Sequence, residues 1–150
     1  MTVLHLGVVD WPYAYQGAEA VTTGDVAGWL EDKYGVMQFF FDEHKQEIAD
    51  NLAESARGAL ESFLMGAPKS RHPLIQGTDK IEWMFQNFID NKEMDGRVEG
   101  VPTQASLEGI SHRFKDAGNK KGGRNPRPSF QDTAMYEDSF TVWVDNDSRE

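Results

Sequence analysis

The side chains of this chain that are best suited to chemistry are its histidines and carboxylates, since it contains no cysteine. The histidines are His5, His44, His72 and His112. They fall in four different predicted elements, and no two have the i, i+4 spacing that places two zinc ligands on one helix face. We therefore predict no metal site and no cofactor. His44 lies on the apolar side of a predicted helix, which favours a partly buried, hydrogen-bonded histidine over a general base.

A pair of carboxylates is the second arrangement that could support catalysis, as general acid and nucleophile on a polysaccharide. Glu43 and Glu47 share one face of a predicted helix and are the candidates. Like charges on one helix face are more typical of a solvated surface, and the net charge of −10 would repel an anionic cell wall. Gly122 and Gly123 lack the following Lys-Ser or Lys-Thr of a phosphate-binding loop. We predict no catalytic residue and no enzymatic activity.

The charge of the chain is unevenly distributed along the sequence. The segment from Arg113 to Arg127 contains six basic side chains and a single acidic one, so it carries +5 and the rest of the chain −15. Its glycines and Pro126 predict a flexible loop over residues 115–127. This loop is either a solvated surface or a basic arm that docks on an acidic neighbour. Nucleic-acid binding is disfavoured, because no aromatic side chains are interleaved with the basic ones.

Hydrophobic periodicity predicts one α+β domain over residues 1–150, mainly helical and organised around a long central helix. A short helix is capped by Thr23 or Asp25 and ends at Gly35. Its apolar stripe consists of Val26, Trp29 and Leu30. The long helix runs from Val36 to Met65, which corresponds to about 45 Å. One face of the long helix is strongly acidic.

Two further helices are predicted after the long one. The third helix is capped by Asp79. Its inward-facing residues are Ile81, Met84, Phe85, Phe88 and Ile89. The fourth helix is capped by Thr103. Its inward-facing residues are Leu107, Ile110 and Phe114. No apolar run approaches the roughly 20 residues of a membrane span, and residues 1–9 lack the features of a signal peptide.

Two short strands are predicted at the ends of the chain. The first covers Val3 to Val9, and residues 10–24 after it are expected to form an extended arm. The second begins at Phe140 and ends at Val144. Its alternation places Phe140, Val142 and Val144 on one face and Thr141 and Trp143 on the other. This closing strand pairs either with the first strand or, by strand addition, with another copy of the chain.

The turn before the closing strand is indicated by its residue types. Pro128 fixes one φ, and the side-chain oxygens of Asp132 and Thr133 can accept hydrogen bonds from nearby backbone N–H groups. Ala134 follows, and alanine tolerates a positive φ poorly. We therefore expect that this turn is not left-handed.

The segment from Arg127 to Asp145 resembles the neck and tail-completion proteins of tailed bacteriophages. The residues that carry the resemblance are Pro128, Asp132, Thr133, Tyr136, Ser139, Phe140, Trp143 and Val144. The family usually has glycine where this chain has Ala134. A weaker similarity covers Asp79 to Phe114.

The resemblance implies a structural protein of the virion's head–tail neck, assembled in the host cytoplasm and without enzymatic or membrane function. It implies a homo-oligomeric ring, six- or twelve-fold, through which DNA passes without sequence-specific binding. The implied partners are the connector or portal-side protein on one side and the tail tube or terminator protein on the other. The residues that we expect at the oligomer or partner interface are Trp11, Tyr13, Tyr15, Arg113, Lys120, Lys121, Arg124, Arg127, Asp132, Thr133, Tyr136, Phe140 and Trp143.

Two other functions fit a small acidic chain. An acidic DNA mimic or anti-restriction protein presents carboxylates at the spacing of phosphates, and such a protein has no use for a basic arm. A regulatory or chaperone-like binding module would instead use the long helix and expose an apolar groove.

Overall fold

The computed structural model of the chain describes residues 2–13, 21–109, 126–131 and 134–146. Within these ranges the elements, in chain order, are β1 (Thr2–Val8), α1 (Thr23–Tyr34), α2 (Val36–Leu64), α3 (Ile75–Asp90), α4 (Gln104–Glu108), α5 (Met135–Ser139) and β2 (Phe140–Asn146). The predicted α+β class is confirmed. Helices predominate, α2 is the long central helix, and the two strands form a small sheet.

The closing strand β2 pairs with β1 in an antiparallel sheet, which is the first of the two pairings that the sequence allows. Leu6 lies opposite Val142, and Val8 lies opposite Phe140. Phe140 and Val142 are buried whereas Trp143 is exposed, so the predicted alternation is confirmed. The sheet therefore has one face on the core and one face in solvent.

A single carboxylate of α3 holds the outer edge of β2. Glu82 Oε1 accepts hydrogen bonds from the backbone N–H of Val142 and from the hydroxyl of Thr141, both at 2.9 Å. The edge of a sheet otherwise presents unpaired backbone groups. Glu82 therefore satisfies part of that edge and fixes the sheet on α3.

α1 is capped by Thr22, one residue before the earlier of its two predicted caps. Thr22 and Asp25 form a capping box at its start, and Gly35 ends it in the left-handed conformation. The predicted apolar stripe is wrong at Trp29, which is exposed, while Ala27 is buried. The small side chain of Ala27 lets α1 approach the core closely, and Trp29, two positions further on, lies about 200° around the helix.

α2 and α3 pack side by side, and a glycine sets how closely they approach. A β-carbon on Gly77 would lie 2.9 Å from the carbonyl oxygen of Asn51, too close for any larger residue. α3 begins before its predicted cap, so the prediction for Asp79 is wrong and that residue lies inside the helix. The helical hydrogen bonds already start one turn earlier, where the N–H of Thr78 donates to the carbonyl of Leu74 at 2.9 Å.

The core is built around a cluster of phenylalanine rings from α2, α3 and β2. Phe40, Phe85, Phe88 and Phe140 are almost completely buried. Phe85 stacks on Phe140 with 3.9 Å between the ring centroids, and Phe40 lies 5.2 Å from Phe85. The predicted inward face of α3 is confirmed, because all of its members are buried: Ile81, Met84, Phe85, Phe88 and Ile89.

α4 follows its predicted cap, Thr103, but is only 5 residues long. Its buried residue is Ser106, whereas Leu107 is exposed, so the predicted inward orientation of Leu107 is wrong. A helix of little more than one turn can bury only one side. Ile110 and Phe114, the other residues predicted to face inward here, lie outside the described ranges.

The two described ends of the predicted arm, residues 10–24, pair with each other. The N–H of Tyr13 donates to the carbonyl of Val21 at 3.0 Å, and the N–H of Thr23 donates to the carbonyl of Trp11 at 2.9 Å. The ring of Tyr13 is buried in its own chain. The described part of this segment therefore returns onto the domain.

Ala134 precedes α5 with a φ of +59°, so the expectation that this turn is not left-handed is wrong. A β-carbon in the left-handed region costs roughly 1–2 kcal/mol. The turn leads directly into α5 and β2, and the burial of Tyr136 and Phe140 just after it outweighs that cost. The chain thus uses alanine in the conformation for which glycine is the usual residue.

Replacing Ala134 with glycine is expected to raise the free energy of unfolding by about 0.5–1 kcal/mol. Glycine removes the left-handed strain, and the greater entropy of its unfolded chain offsets only part of that gain. Gly35→Ala is the matched control, because Gly35 has a φ of +60° and open space where a side chain would be added. Urea denaturation should show a loss of similar size for Gly35→Ala. A less stable Ala134→Gly variant would contradict the left-handed turn.

Glu137, in α5, is a buried carboxylate whose hydrogen bonds are incomplete. Its Oε1 accepts a hydrogen bond from Gln131 Nε2 at 2.8 Å, while Oε2 is buried without a partner among the described residues. Burial raises the pKa of Glu137. The Gln131 hydrogen bond opposes this rise in pKa, and the charges of Asp90 and Asp138 add to it.

Glu137→Gln is expected to stabilise the fold at neutral pH but not at acidic pH. The protonated carboxyl contributes its stability below the unfolded-chain pKa of about 4.3, and this contribution is lost as the pH rises through the raised pKa of the folded chain. Glutamine resembles the protonated form at every pH. Urea denaturation at about pH 4 and about pH 7.5 measures the difference, with the exposed Glu99→Gln as control. An equal gain at both pH values would rule out a raised pKa.

Candidate assembly surface

A cleft between α1, the start of α4 and α5 is lined by thirteen residues, five of them aromatic. Its volume is about 560 Å³, within the range of roughly 300–1,000 Å³ that is typical of binding clefts. We call it the aromatic cleft. Its aromatic members are Tyr13, Trp29, Tyr34, Phe130 and Tyr136. Its basic members are Lys33 and Arg127.

Hydrogen bonds between small polar side chains fix the α4 side of the cleft. Ser129 Oγ accepts a hydrogen bond from the N–H of Thr103 at 3.1 Å and lies 3.1 Å from Ser106 Oγ. The N–H of Arg127 donates to the carbonyl of Ser106 at 3.0 Å. The start of α4 and the segment 126–131 therefore form one wall.

Tyr136 lies at the buried side of the cleft. Its hydroxyl is buried and has no hydrogen-bond partner among the described residues. Burial raises the pKa of this hydroxyl, and the negative charge of Glu31 raises it further. Glu31 is itself held in place, because its carboxylate accepts hydrogen bonds from the N–H groups of Met37 at 2.7 Å and Gln38 at 3.1 Å. The cleft is thus anchored to the start of α2.

The last part of α2 continues past the residues that cover the rest of the helix. Ser55 is its last buried residue, and the hydroxyl of Ser55 donates to the carbonyl of Pro73 at 2.9 Å. The large apolar side chains beyond it are 51–89% exposed, and they are Leu60, Phe63, Leu64 and Met65. We call these four residues the α2 end. These side chains stay half exposed or more, although the spacing of Leu60, Phe63 and Leu64 is that of a buried helix face.

All four tryptophans of the chain are exposed, by 42–65%. They are Trp11, Trp29, Trp83 and Trp143. Tryptophan is highly buried on average, and it is enriched in protein interfaces relative to the rest of the surface. In this chain the phenylalanines fill the core instead. The exposed tryptophans are therefore candidates for contacts with another molecule.

The structure brings together three of the residues predicted to lie at an interface. Tyr13, Arg127 and Tyr136 all line the aromatic cleft. Trp11 and Trp143 are exposed outside it. The predicted interface residues that lie outside the described ranges are Tyr15, Arg113, Lys120, Lys121, Arg124, Asp132 and Thr133.

The prediction that Phe140 lies at an interface is wrong, because its ring is stacked on Phe85 in the core. Tyr13 and Tyr136 are likewise buried in their own chain, so little of either ring is free to contact a partner. The cause is the same in each case. An aromatic residue close to a strand or turn fits the inward face of the sheet as well as an interface, and the sequence pattern alone does not distinguish the two.

The exposed members of the candidate surface were not predicted from the sequence. Trp29 was predicted in the apolar stripe of α1, and no exposed surface was predicted for the α2 end. The difference in helix length could have indicated the exposed end of α2. α2 has 29 residues, whereas α3, its main packing partner, has only 16. A helix that much longer than its partner must leave part of its apolar stripe uncovered.

Residues considered for catalysis are used for structure instead. His44 is partly buried as predicted, with its Nε2 2.7 Å from Glu93 Oε2. Glu43 forms an ion pair with Arg97 at 2.8 Å, and the hydrogen bond from Arg97 holds the pKa of Glu43 below its ordinary value. A general acid needs the opposite shift. Among the described residues, no three side chains come together as metal ligands.

Comparison of the chain with protein families, with curated proteins and with solved structures found no match. The resemblance over Arg127 to Asp145 therefore stays a prediction from the sequence. Of the helices in the described ranges, none has both the length and the apolar character needed to cross a membrane.

Trp143 lies on the outer face of the sheet, where its ring stacks on His5 with 5.1 Å between the centroids. Trp143 is a predicted interface residue, so Trp143→Asp is expected to weaken self-association. The circular dichroism spectrum should stay almost unchanged, because the core face of β2 is untouched. Trp143→Phe keeps an aromatic ring over His5 and should associate normally. Mass photometry of the three proteins makes the comparison. Normal association of Trp143→Asp would exclude Trp143 from the interface.

Proposed function

We propose that this chain is a structural subunit of the neck of a tailed bacteriophage, where copies of it join into a ring through which DNA passes. The observation that carries the proposal is the exposure of all four tryptophans and of the α2 end on a domain whose core is complete without them. The resemblance over Arg127 to Asp145 is the reason for proposing the neck of a tailed bacteriophage as the place of assembly. No catalytic role is part of the proposal.

The exposed surfaces favour a ring over a symmetric dimer. The aromatic cleft and the α2 end are different surfaces, and a contact between different surfaces is heterologous. Heterologous contacts repeat from copy to copy until the rotation closes a ring. A neck protein needs this kind of assembly, because it must surround the DNA.

The acidic surface of the chain suits a channel for DNA. Asp42, Glu47 and Asp50 are exposed along α2. Carboxylates that face the channel repel phosphate, so DNA slides through without adhering. At an ionic strength near 0.15 M the field reaches about 8 Å, which is enough to act across a narrow channel.

The basic segment 113–127 supplies charge of the opposite sign. Its six basic side chains complement the acidic surface of an adjacent copy or of the next protein of the neck. In this proposal the segment joins one layer of the neck to another, and the contact weakens as salt screens the charges.

The aromatic cleft also favours a second candidate function, a module that binds an apolar helix of another protein. A DNA mimic is less well supported, because two of the carboxylates of α2 are already paired. Glu43 is paired with Arg97, and Glu54 is paired with Lys80, each at 2.8 Å.

Purified chain is expected to form closed rings in negative-stain images, alone or on addition of tail-less heads, and to be present in mature virions by mass spectrometry. Virions assembled without the chain should accumulate as separate heads and tails. A chain that stays monomeric under all conditions and is missing from virions would overturn the proposal. Recovery of that monomer bound to the helix of a protein outside the virion would support the binding module instead.

A further inference from the structure

The aromatic cleft and the α2 end are complementary features of one molecule. The cleft is concave and lined in part by aromatic side chains, with Trp29 exposed at its opening. The α2 end lies at the terminus of the long helix, and its four apolar side chains, which include Phe63 and Leu64, are at least half exposed. Apolar helix ends bind in grooves of this kind through side chains that repeat with helical spacing.

We propose that the α2 end of one copy inserts into the aromatic cleft of the next copy, so that each copy both gives and receives one contact. The occupant of the cleft is thus a second copy of this chain. This inference rests on the proposed function, since it specifies the contact that builds the ring. Phe63 and Leu64 enter the cleft, and Trp29 closes over them.

Charged residues next to the aromatic cleft are opposite in sign to charged residues next to the α2 end, in two separate pairings. Lys33 lines the cleft, with its ammonium group 5.0 Å from the centroid of the Tyr34 ring. Glu61 follows Leu60 of the α2 end in sequence, and its ion pair with Arg57 is long, at 3.6 Å, and exposed. A weak exposed pair of this kind contributes little, so Glu61 can exchange Arg57 for Lys33 of the neighbouring copy at small cost.

In the second pairing the basic residues follow the α2 end and the acidic residues lie beside the cleft. The segment that follows the α2 end carries the exposed basic residues Lys69 and Arg71. Beside the cleft, α1 and α4 carry the exposed acidic residues Asp32 and Glu108. Insertion of the α2 end brings its basic flank to the acidic flank of the cleft. Complementary charge of both signs fixes the orientation of the inserted helix.

The contact has to join different copies. α2 begins at Val36, two residues after Tyr34 of the cleft, and runs for 29 residues to the α2 end. At 1.5 Å per residue the two surfaces lie about 43 Å apart along the helix axis. The α2 end therefore cannot reach the cleft of its own chain, and the contact repeats from copy to copy.

Two single variants test the contact in the full chain. Leu64→Asp damages the α2 end, and Trp29→Asp damages the cleft. Both residues are more than half exposed, so neither change removes a core side chain. Each variant alone is expected to lose association by about 30-fold or more, as for a central interface residue. Ala53→Asp, an exposed change of the same charge on α2, is the control and should associate like the unmodified chain.

A mixture of the two variants gives the deciding result. Leu64→Asp keeps an intact cleft and Trp29→Asp keeps an intact α2 end, so an equimolar mixture should form a 1:1 dimer and nothing larger in mass photometry. Loss of association in each variant with no dimer in the mixture would overturn the inference. Rings formed by either variant alone would also overturn it, while the proposed ring function would stand.

A cysteine cross-link tests the same contact with its apolar side chains in place. The chain has no cysteine, so Glu61→Cys combined with Lys33→Cys introduces the only two thiols at the proposed charged pair. Mild oxidation is expected to produce a ladder of covalent oligomers on non-reducing gels, and each single cysteine variant should give at most a dimer. A double variant that gives no product beyond a dimer, although the unmodified chain forms rings, would overturn the inference.

Discussion

The stacking of aromatic rings between α3 and β2 is the interaction on which the rest of the structure depends. Phe85 and Phe140 are 3.9 Å apart at their centroids, and Phe40 of the long helix packs against both. Glu82 adds a hydrogen-bonded tie from α3 to the edge of the same strand. The two ends of the chain are thereby closed into one sheet against α3. α1 follows β1 in the chain and α5 directly precedes β2, so the pairing of the two strands against α3 also positions these helices, which line part of the cleft.

A core filled by phenylalanine leaves the tryptophans and the last part of α2 exposed in the single chain. Large apolar side chains on a surface carry a cost in water, at roughly 25 cal/mol for each Å² that stays exposed. In the proposed ring, association of copies removes this cost and covers the exposed last part of α2. The proposal also gives the acidic surface a use, since charge directs association to complementary surfaces. Under this proposal, assembly follows from the same packing that defines the fold.

Much of the fold follows from periodicity in the sequence, and the errors have local physical causes. The bounds of α2, the inward face of α3 and the alternation of β2 were predictable, because each depends on a regular pattern of apolar residues. Ala134 was misjudged because burial after the turn outweighs its strain, and Trp29 because a small neighbour forms the contact with the core. The cleft could not be predicted, since it joins α1, α4 and α5, which are distant in sequence.

The central claim is that the tryptophans exposed in the single chain are covered when copies assemble. Acrylamide quenching of tryptophan fluorescence measures this directly, when it is followed across the protein concentrations at which rings form. The account expects strong quenching of the monomer and a clear fall in the quenching constant upon assembly. Rings that form with no change in the quenching constant would contradict the account, because the tryptophans would then lie outside every contact between copies.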